Sequence, residues 1–150
     1  MLRVLVPIDG SENSLRTVGF VIEKAPLYRE PLEIHLLNVQ RPFPGTIKMV
    51  GEEARKFHHD EGIRALTGAC KLLDGAGVKY ARHIGVGDFA ETIAQYVKDK
   101  EIEQVVMGTR GAGAVANMLL GSVTTKVLHL VDVPVLLVKS AGAATDFPNT

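Results

Sequence analysis

The sequence predicts a single α/β domain, an open five-stranded parallel sheet in the order 3-2-1-4-5 with helices on both faces. Three observations predict it. Short apolar runs alternate with stretches of helical periodicity along the whole chain, the pattern of a parallel sheet joined by right-handed crossovers. The first run, Leu2 to Ile8, is nearly continuous in apolar residues, as in a buried parallel strand, and the last, Val133-Pro134-Val135-Leu136-Leu137-Val138, is an apolar strand as well. Finally, 150 residues suit one domain, and a domain of that size buries roughly 68–70% of its unfolded surface.

Residues 2–8 form the first strand. After Asp9-Gly10-Ser11, Leu15, Val18, Val21/Ile22 and Ala25 recur at helical spacing, which predicts a helix with that face inward. Pro26 and Pro31 bracket its exit. Residues 33–39 are the second strand, in which Ile34, Leu36, Leu37 and Val39 are interrupted by His35 and Asn38. A loop of this length at 40–51 is of a kind that is often functional. Residues 52–73 are a helix with Phe57, Ala65/Leu66, Ala69/Cys70 and Leu73 inward, ended by Gly75 and Gly77. Residues 78–84 are a more polar strand, expected at the sheet edge. Asp88 stands three residues before Glu91, the spacing of a capping box, and opens a helix with Phe89, Ile93 and Val97 inward. Residues 104–107 are the fourth strand. Residues 122–131 are the last helix, with Val123, Val127 and Leu130/Val131 inward, and 133–138 the last strand. Residues 1–139 are taken as the domain and 140–150 as a flexible tail.

Composition narrows the function classes. The chain is 46% hydrophobic and 23% charged, as in ordinary globular domains. Its 17 Lys and Arg balance 17 Asp and Glu, so a broad basic face for nucleic acid is not expected. No apolar run nears the ~20 residues that span a bilayer, so no membrane partner is expected. A single cysteine, Cys70, suits a reducing compartment. Its stripe with Leu66 and Leu73 makes it a small core residue. With Met1-Leu2-Arg3-Val4 running straight into a strand rather than a leader, a cytoplasmic location is expected. His58 and His59 are adjacent on a helix, about 100° apart and unsuited to one metal; both are expected at the surface, with His35 and His83 as strand residues.

Chemistry is expected where the strand order reverses, beyond the carboxyl ends of strands 1 and 4. Strand 1 ends in Pro7-Ile8-Asp9-Gly10-Ser11, and strand 4 in Met107-Gly108-Thr109-Arg110-Gly111. The latter continues to Gly121-Ser122-Val123-Thr124 at the start of the last helix. A helix start offers unpaired N–H groups and partial positive charge, and glycines let a ligand approach the backbone. Ser122 and Thr124 add hydroxyls, and Arg110 is the nearby cation. Together these are the parts of a phosphate site. It is not a Walker loop, because Gly-x4-Gly-Lys-Ser/Thr does not occur. Gly-x-Gly-x-x-Ala occurs at Gly85 and at Gly111, but neither lies in the first βα turn where a dinucleotide fingerprint belongs. No nucleophile elbow or Cys/His pair presents itself, and Asp9 is the nearest carboxylate.

Gly108-x2-Gly111-x9-Gly121-Ser122 is similar to the nucleotide-binding signature of the ATP-binding universal stress proteins. The resemblance extends over residues 2–139. Val4-Leu5-Val6-Pro7-Ile8-Asp9-Gly10-Ser11 resembles that family's first strand and turn, Gly87-Asp88 with Ile93 its third βα turn, and Val133-Pro134-Val135-Leu136-Leu137-Val138 its last strand. Gln104 departs from it, standing where an apolar strand residue is usual, and nothing in the loop 40–51 can be carried over. The resemblance implies a Rossmann-like fold of the adenine-nucleotide α-hydrolase-like type. It places Asp9 by the ribose and Pro7 and Val39 against the adenine. Met107, Gly108, Arg110 and Gly111 would wrap ribose and phosphates, and Gly121, Ser122, Val123 and Thr124 would hold the phosphates. The ligand would be ATP, ADP or AMP, with Mg²⁺ or Mn²⁺ riding on the phosphates. The resemblance further implies a homodimer through the last strand and a nucleotide-dependent regulatory role in a stress response. The rival readings are a weak ATPase or other adenine-nucleotide hydrolase, and a dimeric interaction protein that binds no nucleotide.

Overall fold

The computed structural model describes residues 1–44, 49–110 and 119–139. Its elements are β1 (Leu2–Pro7), α1 (Glu12–Lys24), a short 3₁₀ turn (Ala25–Leu27), β2 (Leu32–Gln40), α2 (Glu52–Gly75), β3 (Tyr80–Val86), α3 (Phe89–Asp99), β4 (Gln104–Gly108), α4 (Ser122–Leu130) and β5 (Val135–Val138). The five strands are parallel in the order β3-β2-β1-β4-β5, as expected. β1 and β4 are neighbours, so the order reverses between them. The expected flexible tail, 140–150, lies outside the described residues.

Strand alternation sends successive side chains to opposite faces, and each face builds its own core. On one, Val4, Val6, Ile34 and Leu36 pack with Val18 and Val21 of α1 and Leu66, Ala69, Cys70 and Leu73 of α2. On the other, Leu5, Leu37, Val105 and Met107 pack with Ala90, Ile93 and Val97 of α3 and Val127 of α4. Cys70 is thus a buried core residue.

The helix starts are written locally. Ser11 caps α1, its hydroxyl accepting from the Ser14 N–H, and Asp88 caps α3 by accepting from the Glu91 N–H at 3.0 Å. Three expected inward faces are corrected. On α2, Phe57 is 42% exposed, whereas His58, expected at the surface, is buried beneath the rings of Phe43 and Phe57. The α2 contact stripe runs through His58, Gly62, Leu66, Ala69 and Leu73, and a side chain at Gly62 would meet Ile84 of β3 at 2.7 Å. On α4, Leu130 turns outward while Thr124 and Val127 are buried. On α3, Ala90 joins the core and Phe89 is only half-buried.

His35 and His83 do stand on strands, and they bond to each other. His35 Nδ1 lies 2.9 Å from His83 Nε2, and its Nε2 lies 2.9 Å from Glu33 Oε1. Burial holds the His83 pKa below its usual value, aided by the adjacent His35 and by Lys100. Gln104, the apolar-position exception, is used by Tyr28, whose hydroxyl donates to its side-chain oxygen at 3.3 Å.

Candidate functional site

The carboxyl ends of β1, β2 and β4 open into one crevice of about 800 Å³, within the range of ligand pockets. Its shape is fixed by bonds between strand ends. The Ile8 N–H donates to Leu37 O at 2.8 Å, and the buried Asn38 side chain donates to Ile8 O at 2.8 Å. Gln40 Nε2 donates in turn to Asn38 Oδ1 at 2.6 Å. The turn after β1 is held by Asp9, whose Oδ1 accepts from the Ser11 N–H at 2.9 Å. Gly10 completes that turn at φ +84°, a region that favours glycine. Asp9 is therefore the turn residue, and Ser11 is the helix cap.

On the other side, β4 and α4 are bolted together. The Gly121 N–H donates to Thr109 O at 2.8 Å, and the buried Thr124 hydroxyl donates to Gly108 O at 3.0 Å. The cap position of α4 is Gly121, with no side chain bonded back to the helix start. Ser122 is the first helical residue rather than the cap. At such a start the first N–H groups of the helix have no intrahelical partner and are open to an anion.

Of the residues singled out in the sequence, Pro7, Asp9, Val39, Met107, Gly108, Arg110, Gly121, Ser122, Val123 and Thr124 all line this crevice. Gly111 lies outside the described residues. Leu37, Ile93 and Phe89 add apolar wall. Arg110 is not alone as a cation: Arg41 and Arg64 line the crevice as well. Arg41 places its guanidinium 4.6 Å from the centre of the Phe89 ring, and Arg64 Nη1 bonds Glu61 Oε1 at 2.7 Å. Sequence reasoning missed Arg41, Arg64, Glu61, Phe89 and the Asn38–Gln40 pair. The only available signal for Asn38 was a polar side chain in an otherwise apolar strand.

The start of α3 borders the same region. Lys126 of α4 donates to Asp88 Oδ2 at 3.1 Å and to Glu91 Oε1 at 3.4 Å. The Glu91 N–H, and then Lys126, hold the Asp88 carboxyl below its usual range. Asp88 in turn raises the Lys126 ammonium. These exposed contacts join α3 to α4 beside the crevice.

The crevice combines an apolar slot, glycine-exposed backbone, a helix start and guanidinium groups, a set suited to a ligand with an apolar part and an anionic part. The sequence pattern described as "Universal stress protein family" matches residues 1–139. A universal stress protein of Thermus aquaticus is 32% identical over 147 residues, covering 91% of this chain and 97% of its own. Among solved structures, a universal stress protein family member of Arabidopsis thaliana with AMP bound superposes with a TM-score of 0.68 at 22% identity, covering 99% of this chain and 97% of its own. One from Archaeoglobus fulgidus in complex with dAMP gives 0.65 at 18% identity, covering 91% and 97%.

Proposed function

The chain belongs to the universal stress protein family, and from that premise we propose that it is a nucleotide-dependent regulatory module that binds ATP in the crevice between β1 and β4. One observation carries the reading: residues from four separated segments, Pro7 to Asp9, Val39, then Met107, Gly108 and Arg110, and Gly121 to Thr124, meet around one cavity. The base lies against Pro7 and Val39, the ribose by Asp9, and the phosphates at Gly108, Arg110, Gly111 and the start of α4. AMP and dAMP in the two structural relatives support adenine as the base, and ADP or AMP would occupy the same site. On this reading Mg²⁺ or Mn²⁺ rides on the phosphates of the bound nucleotide.

Binding rather than turnover is the function. The lining carboxylates have structural or binding roles on this reading, Asp9 in the turn and by the ribose and Glu61 paired with Arg64. Ligand binding shifts the population toward one arrangement of the segments around the crevice, and a partner or second subunit reads it. The homodimer forms through the last strand, which lies at the sheet edge with all four of its residues only partly buried; an uncovered apolar edge of this kind invites pairing. In this proposal the protein acts in the cytoplasm. The direct test is calorimetric titration of nucleotide-stripped protein with Mg-ATP. Saturable binding of one ATP per chain supports the reading, and no saturable heat at millimolar ATP refutes it.

A further inference from the structure

Arg41 lies just beyond the end of β2. In the strand order, β1 separates β2 from β4. Adjacent strands are about 4.8 Å apart, so the β2 end stands on the order of 10 Å from the β4 end. Leu37 and Val39 of β2 and Ile93 of α3 form an apolar slot on this side, with the polar Asn38 and Gln40 beside it. Arg41 is nevertheless drawn in over Phe89, the first residue of α3, at 4.6 Å from ring centre to guanidinium carbon. Both side chains line the cavity. A guanidinium is planar, delocalised and weakly hydrated, so it stacks on aromatic faces where an ammonium acts as a point charge.

We propose that the Arg41–Phe89 pair is the base-stacking element of this site, a planar platform whose free face receives the aromatic base of the nucleotide and which contributes little to holding its phosphates. The inference rests on the nucleotide reading above and adds to it how the base is gripped. Without the pair, the apolar slot would hold any small hydrophobic group. With it, a flat π-system is favoured, because each stacked base–side chain contact contributes substantially to affinity whatever the base edge.

The test compares ATP with inorganic tripolyphosphate, which carries the phosphates and no base, on the full chain and on Arg41→Lys. Arg41 is exposed, and the substitution keeps the charge. The expected result is a loss of ATP affinity of about tenfold, of the size a stacking contact gives, with tripolyphosphate affinity changed less than about twofold. Phe89→Leu should produce the same split, and an unliganded melt within about 2 °C of the parent certifies folding of each variant. Unchanged ATP affinity in Arg41→Lys, or an equal loss for both ligands, overturns the stacking platform while leaving the nucleotide site standing. Failure of the parent protein to bind ATP at all overturns both.

Discussion

The hydroxyl of Thr124 donates to the carbonyl oxygen of Gly108 across 3.0 Å, joining the first turn of α4 to the end of β4. Thr124 is 2% exposed, so the bond is made away from water. Its removal by Thr124→Val leaves the Gly108 carbonyl without that donor while preserving side-chain volume. A buried polar group deprived of its partner costs about 1–3 kcal/mol. Urea unfolding of Thr124→Val should show that loss, and Thr124→Ser should recover the hydrogen-bonded part of it. A valine variant as stable as the parent would show that the bond does not hold α4 in place.

Gly62 puts the helix α2 within touching distance of β3. Ordinarily Gly→Ala inside a helix stabilises by about 1 kcal/mol. Here the new Cβ would lie 2.7 Å from Ile84, a branched side chain with little freedom to move, and overpacking costs about 1–3 kcal/mol. Gly62→Ala should therefore destabilise, and Ile84→Val should relieve part of the effect in the double variant. Stabilisation by Gly62→Ala would contradict the close packing.

The same glycine explains what the sequence could and could not convey about α2. Hydrophobic periodicity finds Leu66, Ala69, Cys70 and Leu73, but it counts Phe57 as inward and passes over Gly62. The tightest contact is made where there is no side chain to count, and the stripe through Gly62 carries His58 inward in place of Phe57. The sheet order, the Asp88 cap and the edge position of β3 were legible because each depends on local pattern or on chain order. The Arg41–Phe89 stack and the His35–His83 bond were not, since each joins residues 48 apart in a chain whose register had yet to be seen. The crevice is half legible for the same reason: the glycines announce a phosphate site, whereas exposed arginines resemble any other surface charge until the fold turns them toward a cavity.

Acid should weaken the fold through His83. Its folded-state pKa lies below the ordinary value of about 6.5, because burial, then His35 and Lys100, oppose its charge. As pH falls, the unfolded chain takes up the proton first. The stability present above about pH 6.5 is therefore lost as pH drops through the folded-state value. His83→Gln should flatten this part of the stability–pH curve measured by urea unfolding between pH 7.5 and 5. An identical slope in the variant would assign the acid sensitivity to another group.

Gly121 has φ −70° and ψ 162°, a conformation open to any residue. Gly121→Val should therefore fold, with a melting temperature lowered by only about 2–4 °C from the poorer helix cap. The added bulk fills the approach to the start of α4, so Mg-ATP should no longer raise the melting temperature. Normal ATP stabilisation of this variant would place the phosphates elsewhere.

The measurement that bears most directly on nucleotide binding is thermal unfolding of the nucleotide-free protein with and without Mg-ATP. A ligand at 100 times its Kd adds about 2.7 kcal/mol to the folded state. For a domain of this size that is an upward shift on the order of 5–10 °C. A saturable shift of that size is the expected result. An unchanged melting temperature at millimolar Mg-ATP would contradict ATP binding in the crevice between β1 and β4.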